Sequence, residues 1–397
     1  MNNVLIKYHL DSCEHCLKCI RACPTDAISR NGQHFEIDEQ KCIDCGKCMT
    51  VCDRHGLKAE NSHMSTTMSQ YDYKVALVPG SFFADFKSEE EAGRMLKAIQ
   101  NLGFDEVIDY NNVEGALYLE TIAYMEKSEG LKIASFCPCI NQLIQKHFPM
   151  LLSSLVPVDY PVEVAAKLAR KRLEGQYKTI GIYALSDCVS KQRLSKVPYG
   201  NMNSAIDHVM SLSHIFPKAN RAKDDESLHL SLTKEGICSI VSDFYHYGQE
   251  MRPVLSVSGL ESCMKALELA EFGQLDEIGL LGLFACQGGC IGGQYLWSNP
   301  LCGRIHMDKL SINAPNDMKK IPEELLHCSF DINDLQKDNM NFKERMQKFK
   351  RINQILETLP QYDCGACGYP NCRALAEAID KGKMSDDACR VKKEGGI

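Results

Sequence analysis

The chain has 397 residues, 44% of them hydrophobic, and a formal net charge of −7. That length allows two or three domains with a full core, and the acidic balance excludes a general attraction to nucleic acid or anionic lipid. No apolar run approaches the ~20 residues of a membrane-spanning helix. The opening MNNVLIKYHLDSC lacks the charged and apolar regions of an export signal, so a cytoplasmic setting is expected. In a reducing compartment, 21 cysteines point to metal more than to disulfides.

Eight of those cysteines open the chain in a tandem repeat, CEHCLKCIRACP (13–24) and CIDCGKCMTVC (42–52). Each run has C-x2-C-x2-C-x3-C spacing. One tight loop then offers three thiolates to one cubane while the fourth cysteine crosses to the other. The expected sets are Cys13, Cys16, Cys19 and Cys52 for one [4Fe–4S] cluster, and Cys42, Cys45, Cys48 and Cys23 for the second. A zinc module is the bland alternative, but zinc sites rarely show this doubled run. Residues 8–58 resemble bacterial two-cluster ferredoxins, which implies an electron wire.

The stretch NSHMSTTMSQYDY (61–73) is polar and Ser/Thr-rich and reads as a linker. Beyond it, strands and helices alternate. KVALVPG (74–80) reads as a strand, and Ser88 with Glu91 as a capping box. Ala92, Met95, Leu96, Ile99 and Leu102 follow at helical spacing. DEVIDY (105–110), GLKIASF (130–136), YKTIGIYAL (177–185) and DEIGLLGLFA (276–285) read as further strands. This alternation predicts doubly wound α/β architecture, whose ligands bind outside the carboxyl ends of parallel strands. Cys137, Cys188 and Cys286 sit at such ends. NFKERMQKFKRINQILETL (341–359) reads as an amphipathic connecting helix with Phe342, Met346, Phe349, Ile352, Ile355, Leu356 and Leu359 on one face.

At the end, CGACGYPNC (364–372) and Cys389 give C-x2-C-x4-C-x16-C, a set for one [4Fe–4S] cluster at Cys364, Cys367, Cys372 and Cys389. A zinc knuckle is the alternative. Residues 355–392 resemble the small iron–sulfur domain of some electron-transport and corrinoid proteins. The chain therefore reads as an α/β multidomain protein. Its parts are a ferredoxin-like domain (1–60), a linker (61–73), a central α/β domain (74–330), and a helix with a small helical cluster domain (331–397).

In the central part, ASFCPC (134–139), LSDCVSK (185–191), VSGLESCMKAL (257–267) and FACQGGCIGG (284–293) arrive in order. A lone cysteine at a strand end is usually a small buried hydrophobe, but three strand ends plus a glycine-flanked Cys290 could complete a cubane. Close packing at Gly288, Gly289, Gly292 and Gly293 would let a large group sit against the main chain. Residues 74–312 resemble the catalytic domain of [FeFe]-hydrogenases.

That resemblance implies a two-lobed domain holding an H-cluster. In it a [4Fe–4S] cubane on Cys137, Cys188, Cys286 and Cys290 is joined through Cys290 to a di-iron unit with CO, cyanide and a dithiolate amine. It further implies that Lys191 binds a cyanide and that Pro79 lines the di-iron unit. The implied activity is reversible interconversion of H2 with protons and electrons. Implied partners are maturation enzymes and a redox protein such as a ferredoxin, or a signalling or redox-complex subunit.

The pattern departs from proton-reducing members. Their relay cysteine before the first-loop ligand is Phe136 here, their second-loop proline is Asp187, and their third-loop methionine is Phe284. Gly292-Gly293-Gln294 replaces a glycine run. A phenyl ring cannot relay protons. These losses resemble the sensory branches of the family and imply slow turnover, with Asp187 or Cys139 as substitute relays. Cys238, Cys263, Cys302 and Cys328 read as buried structural thiols, and the histidines, including His15 and His55, show no ligand pairing. The rival reading is an electron-transfer or cluster-scaffold protein without the di-iron unit.

Overall fold

The computed structural model describes residues 5–31, 34–194, 203–242, 252–316, 320–328, 342–385 and 387–393. Contacts group the chain into two units, Met1–Glu60 with Asn333–Ile397, and Asn61–Ile332. The cysteine regions at the two ends, expected as separate domains, thus share one unit.

In the first unit, β1 (Ile6–Tyr8) pairs antiparallel with β4 (Leu57–Ala59), and β2 (Ile28–Asn31) with β3 (His34–Ile37). The tandem repeat is visible in the backbone. His15, Leu17 and Asp26 in the first copy, and Asp44, Gly46 and His55 at the equivalent places in the second, all have positive φ. Five of these six are not glycine, so each copy holds its thiol loop in a conformation most side chains avoid. The helix Phe342–Glu357 has the expected periodicity. Ile352 and Leu359 are buried against Leu375 and Ala376 of the helix Cys372–Asp380, while Met346 and Phe349 stay exposed.

The second unit carries two parallel sheets. One has the order β6-β5-β8-β9, from β5 (Tyr73–Val78), β6 (Glu106–Asp109), β8 (Ile180–Ser186) and β9 (His208–Ser211). The other has the order β10-β11-β7, from β7 (Lys132–Ile133), β10 (Val254–Ser258) and β11 (Leu280–Phe284). Val75, Ala76, Leu77 and Val78 are all fully buried, as continuous apolar runs are in parallel strands covered on both faces. Ser88 caps the helix Glu89–Gln100 by accepting from Glu91 N at 3.2 Å. Glu91 reaches back to Lys87 N rather than to Ser88, so the expected capping box is shifted by one residue.

The expected linker is ordered. It contains a helical turn, Met64–Thr67, and Ser62 N donates to Val209 O at 3.0 Å. Asn61 Oδ1 accepts from Ser211 N at 2.6 Å. Its polar composition supplies partners for the outer edge of β9, which would otherwise be open.

Candidate metal centres

Cys23, Cys42, Cys45 and Cys48 line one cavity of about 330 Å³, so the fourth thiol does cross from the first run to the second. Burial pushes the Cys45 thiol up to about 11. At the other set, burial pushes Cys19 up to about 11, and the charges of Cys13, Cys52 and Cys16 add to the rise. Backbone amides aim at the sulfurs in matching fashion: Ala27 N donates to Cys23 Sγ and Gly56 N to Cys52 Sγ, both at 3.2 Å. His15 takes part through its backbone N, 3.3 Å from Cys13 Sγ. Sets of four cysteines with backbone N–H donors to their sulfurs suit an iron–sulfur cubane. Among the described residues, no three Cys, His, Asp or Glu side chains converge to hold a single ion.

The C-terminal set behaves alike. Cys364, Cys367, Cys372 and Cys389 line a cavity of about 310 Å³. Gly365 and Gly368 both have positive φ, which turns the loop around it. Asp363 accepts from Cys372 N at 2.7 Å and Asn371 caps the following helix through Ala374 N.

In the second unit, Cys137 caps the helix Pro138–His147 just beyond β7, Cys188 follows β8, and Cys286 follows β11. Cys290 opens the short turn Cys290–Gly292. Burial raises all four thiols. Cys286 is also raised by Cys137 and Cys290, and Cys188 by Asp187 and Cys286. These four cysteines therefore lie near enough to feel one another's charge. The third-loop glycines do something other than expected. A Cβ on Gly293 would lie 2.5 Å from Asp187 O, and Gly289, at φ +97°, is pressed against Ile240 O. Gly293 lets the loops carrying Cys188 and Cys290 approach chain against chain, and Gly289 lets the third loop lie on the backbone at Ile240 and Ser242.

Beside Cys290 lies a cavity of about 470 Å³, walled among others by Lys191, Glu114, Phe136 and Ser135. Lys191 Nζ donates to Asp187 Oδ2 at 2.8 Å, and Ser81 Oγ donates to the same oxygen at 2.5 Å. Burial opposes the Lys191 charge, but Asp187 and then Cys290 outweigh it and hold the ammonium well above its ordinary pKa. Asp187, a candidate relay, is thus committed to an ion pair. Cys139 is buried in the first helical turn and does not wall the cavity. Pro79 does not wall it either; Gly80 and Ser81, which follow it, make the contacts to Glu114 and Asp187.

Two departures noted in the sequence answer each other. The Phe136 and Phe284 rings pack 4.5 Å apart, and Phe136 walls the cavity. Glu114 carries no motif that singles it out. Fully buried, it accepts from Asn111 Nδ2 at 3.0 Å and Gly80 N at 3.2 Å, and burial pushes its carboxyl up to about 7 against the opposing Lys191 charge. Its one sequence signal is an acid beside glycine just before the apolar run Ala116-Leu117-Tyr118-Leu119. Among the remaining thiols, Cys263 is buried and donates to Phe284 O at 3.2 Å. Cys302 is exposed, contrary to expectation, and Cys238 and Cys328 are half-buried.

Residues 74–223 match the family model for the iron only hydrogenase large subunit, C-terminal domain. Residues 5–54 match a 4Fe-4S dicluster domain and 359–391 an Fe-S cluster model. The centre of the chain is thus similar to [FeFe]-hydrogenases and its N-terminal segment to two-cluster ferredoxins. The two terminal matches are to domains named for iron–sulfur clusters, and the central match is to a hydrogenase domain.

It is 38% identical over 53 residues to the "Ferredoxin-like protein in nif region" of Azotobacter vinelandii, covering 12% of this chain and 58% of that one. It is 31% identical over 65 residues to "Hydrogenase-4 component A" of Escherichia coli, covering 16% and 32%. It is 50% identical over 38 residues to a component of the ion-translocating oxidoreductase complex of Cereibacter sphaeroides, covering 10% and 20%. The chain thus spans less than two thirds of each of these relatives. [FeFe]-hydrogenase HydA1 from Chlamydomonas reinhardtii superposes with a TM-score of 0.48 at 13% identity, over 65% of this chain and 94% of that one. Among the described residues, no helix is long and apolar enough to cross a membrane.

Proposed function

We propose that this chain interconverts H2 with protons and electrons at an H-cluster, slowly enough to serve sensing or redox regulation. The observation that carries the reading is the cavity walled by Cys290, Lys191 and Glu114 beside four cysteines from three strand ends. Cysteines at three strand ends, a lysine in the wall of the adjoining space, and buried walls together fit a cubane with an appended anionic metal unit. When bound, the di-iron unit would supply the metal site for heterolytic hydrogen cleavage.

The chain's own residues have separable roles. Cys137, Cys188, Cys286 and Cys290 hold the cubane, and Cys290 also holds the di-iron unit. Lys191 offers N–H donors to an anionic ligand, and Asp187 with Ser81 fixes its direction. Glu114, with a pKa near neutrality, gives and takes a proton at Oε1 or Oε2. Phe136 and Phe284 exclude water and leave no relay thiol on their side of the cavity. The other clusters carry electrons to a redox partner. The names of the relatives favour a component of a larger redox complex as that partner, and a reducing cytoplasm suits a chain with 21 cysteines.

A second reading is a cluster-holding electron-transfer protein that never receives the di-iron unit. The Asp187–Lys191 pair favours it, because the cation already has an anion. Infrared spectroscopy after maturation separates the two: bands of iron-bound CO and cyanide support the hydrogenase, and their absence with a full cubane supports the scaffold.

A further inference from the structure

The C-terminal thiol loop is seated directly on the ferredoxin repeat. Arg30 N donates to Gly368 O at 2.7 Å, and Asn371 Nδ2 donates to Asp26 Oδ2 at 2.6 Å. Gly368, between Cys367 and Cys372, has φ +91°, and a Cβ there would lie 2.5 Å from Arg30 O. Gly365 faces the Arg21 side chain, on the helix that links Cys19 to Cys23. Lys41, adjacent to Cys42, reaches Glu377 at 3.5 Å, on the helix that Cys372 opens. Asp26, Arg21 and Lys41 each stand within three positions of a ferredoxin thiol, and Gly365, Gly368 and Asn371 within one of a C-terminal thiol.

We propose that the C-terminal cluster is wired to the ferredoxin clusters as the third station of one electron relay, entering on the side of the Cys23, Cys42, Cys45 and Cys48 site. This rests on reading the cysteine sets as cubanes. A single electron passes from a reduced cluster to its oxidised neighbour; no bond forms or breaks and no proton follows. Thiolate-bound cubanes are anionic, so two at close range repel. The Arg21 side chain, packed against Gly365, places a positive charge there that offsets the repulsion. Asp26 keys the loops together from the left-handed backbone position at φ +52°.

Electron paramagnetic resonance of the fully reduced chain tests this. Cys364→Ala/Cys367→Ala removes the C-terminal cluster, and the microwave power that half-saturates the ferredoxin signals should fall several-fold as the neighbouring spin is lost. Asp26→Gly keeps the backbone conformation and all clusters, and should weaken the same interaction without lowering the iron count. Unchanged saturation after loss of a C-terminal cluster that iron analysis finds in the parent would overturn the relay. An unchanged Asp26→Gly variant would overturn the keying role of Asp26. A parent without C-terminal iron would overturn the cluster assignment itself, a failure that the iron count alone distinguishes.

Discussion

Lys191 and Asp187 form a buried ion pair, Nζ to Oδ2 at 2.8 Å, with side chains only 12% and 1% exposed. Removing one partner of such a pair strands the other charge, at a cost of about 3–5 kcal/mol. Asp187→Asn should therefore destabilise the second unit by that order, and Asp187→Asn/Lys191→Met should recover much of it. Anaerobic denaturant unfolding of both variants checks this. Equal losses in the single and double variants would mean that the pair carries no coupling.

Glu114 should be a carboxylic acid below neutral pH. Its folded-state pKa is raised from 4.5 to about 7, so the stability it contributes is full below pH 4.5 and is lost as the pH climbs through about 7. The difference is worth roughly 3 kcal/mol at high pH. Glu114→Gln should be more stable than the parent above pH 7, and should lack an infrared carboxyl band that the parent loses on titration through neutrality. A parent without that band holds Glu114 ionised.

Phe136→Cys should raise hydrogen evolution, by less than tenfold. A positioned acid–base group typically contributes ~10²–10⁴-fold, but a new thiol restores only one link of a path. Phe284, packed against Phe136, still shapes the wall. Rates compared at equal di-iron occupancy check the gain. A parent rate already matching fast hydrogenases would remove any role for the missing thiol.

The grouping of the cysteines into sets was legible in the sequence because cluster ligands are spaced locally. Cys13, Cys16 and Cys19 announce a cubane before any fold exists, and strand ends flagged Cys137, Cys188 and Cys286. Burial was less legible. Asp187 and Lys191 stand four apart, a spacing that pairs charges on any helix, and only the fold makes the pair buried. Glu114 is defined by Gly80, far away in sequence. The seating of the C-terminal loop on the repeat joins Asp26 to Asn371, 345 residues apart, and such a contact leaves no local mark.

Gly289→Ala should damage the second-unit site alone. Its φ of +97° and the neighbouring Ile240 O leave no room for a methyl group, so the loop holding Cys286 and Cys290 must shift. Iron content should fall by about four atoms, one cubane, while the ferredoxin and C-terminal signals persist. Full iron retention would show that the loop tolerates the change.

The most direct measurement is infrared spectroscopy of the chain after maturation by the assembly enzymes of [FeFe]-hydrogenases, with Cys290→Ala as the partner sample. The expected result is a set of iron-bound CO and cyanide bands in the parent, lost in Cys290→Ala while the ferredoxin signals remain. A parent with a complete second-unit cubane and no such bands would contradict the hydrogenase reading.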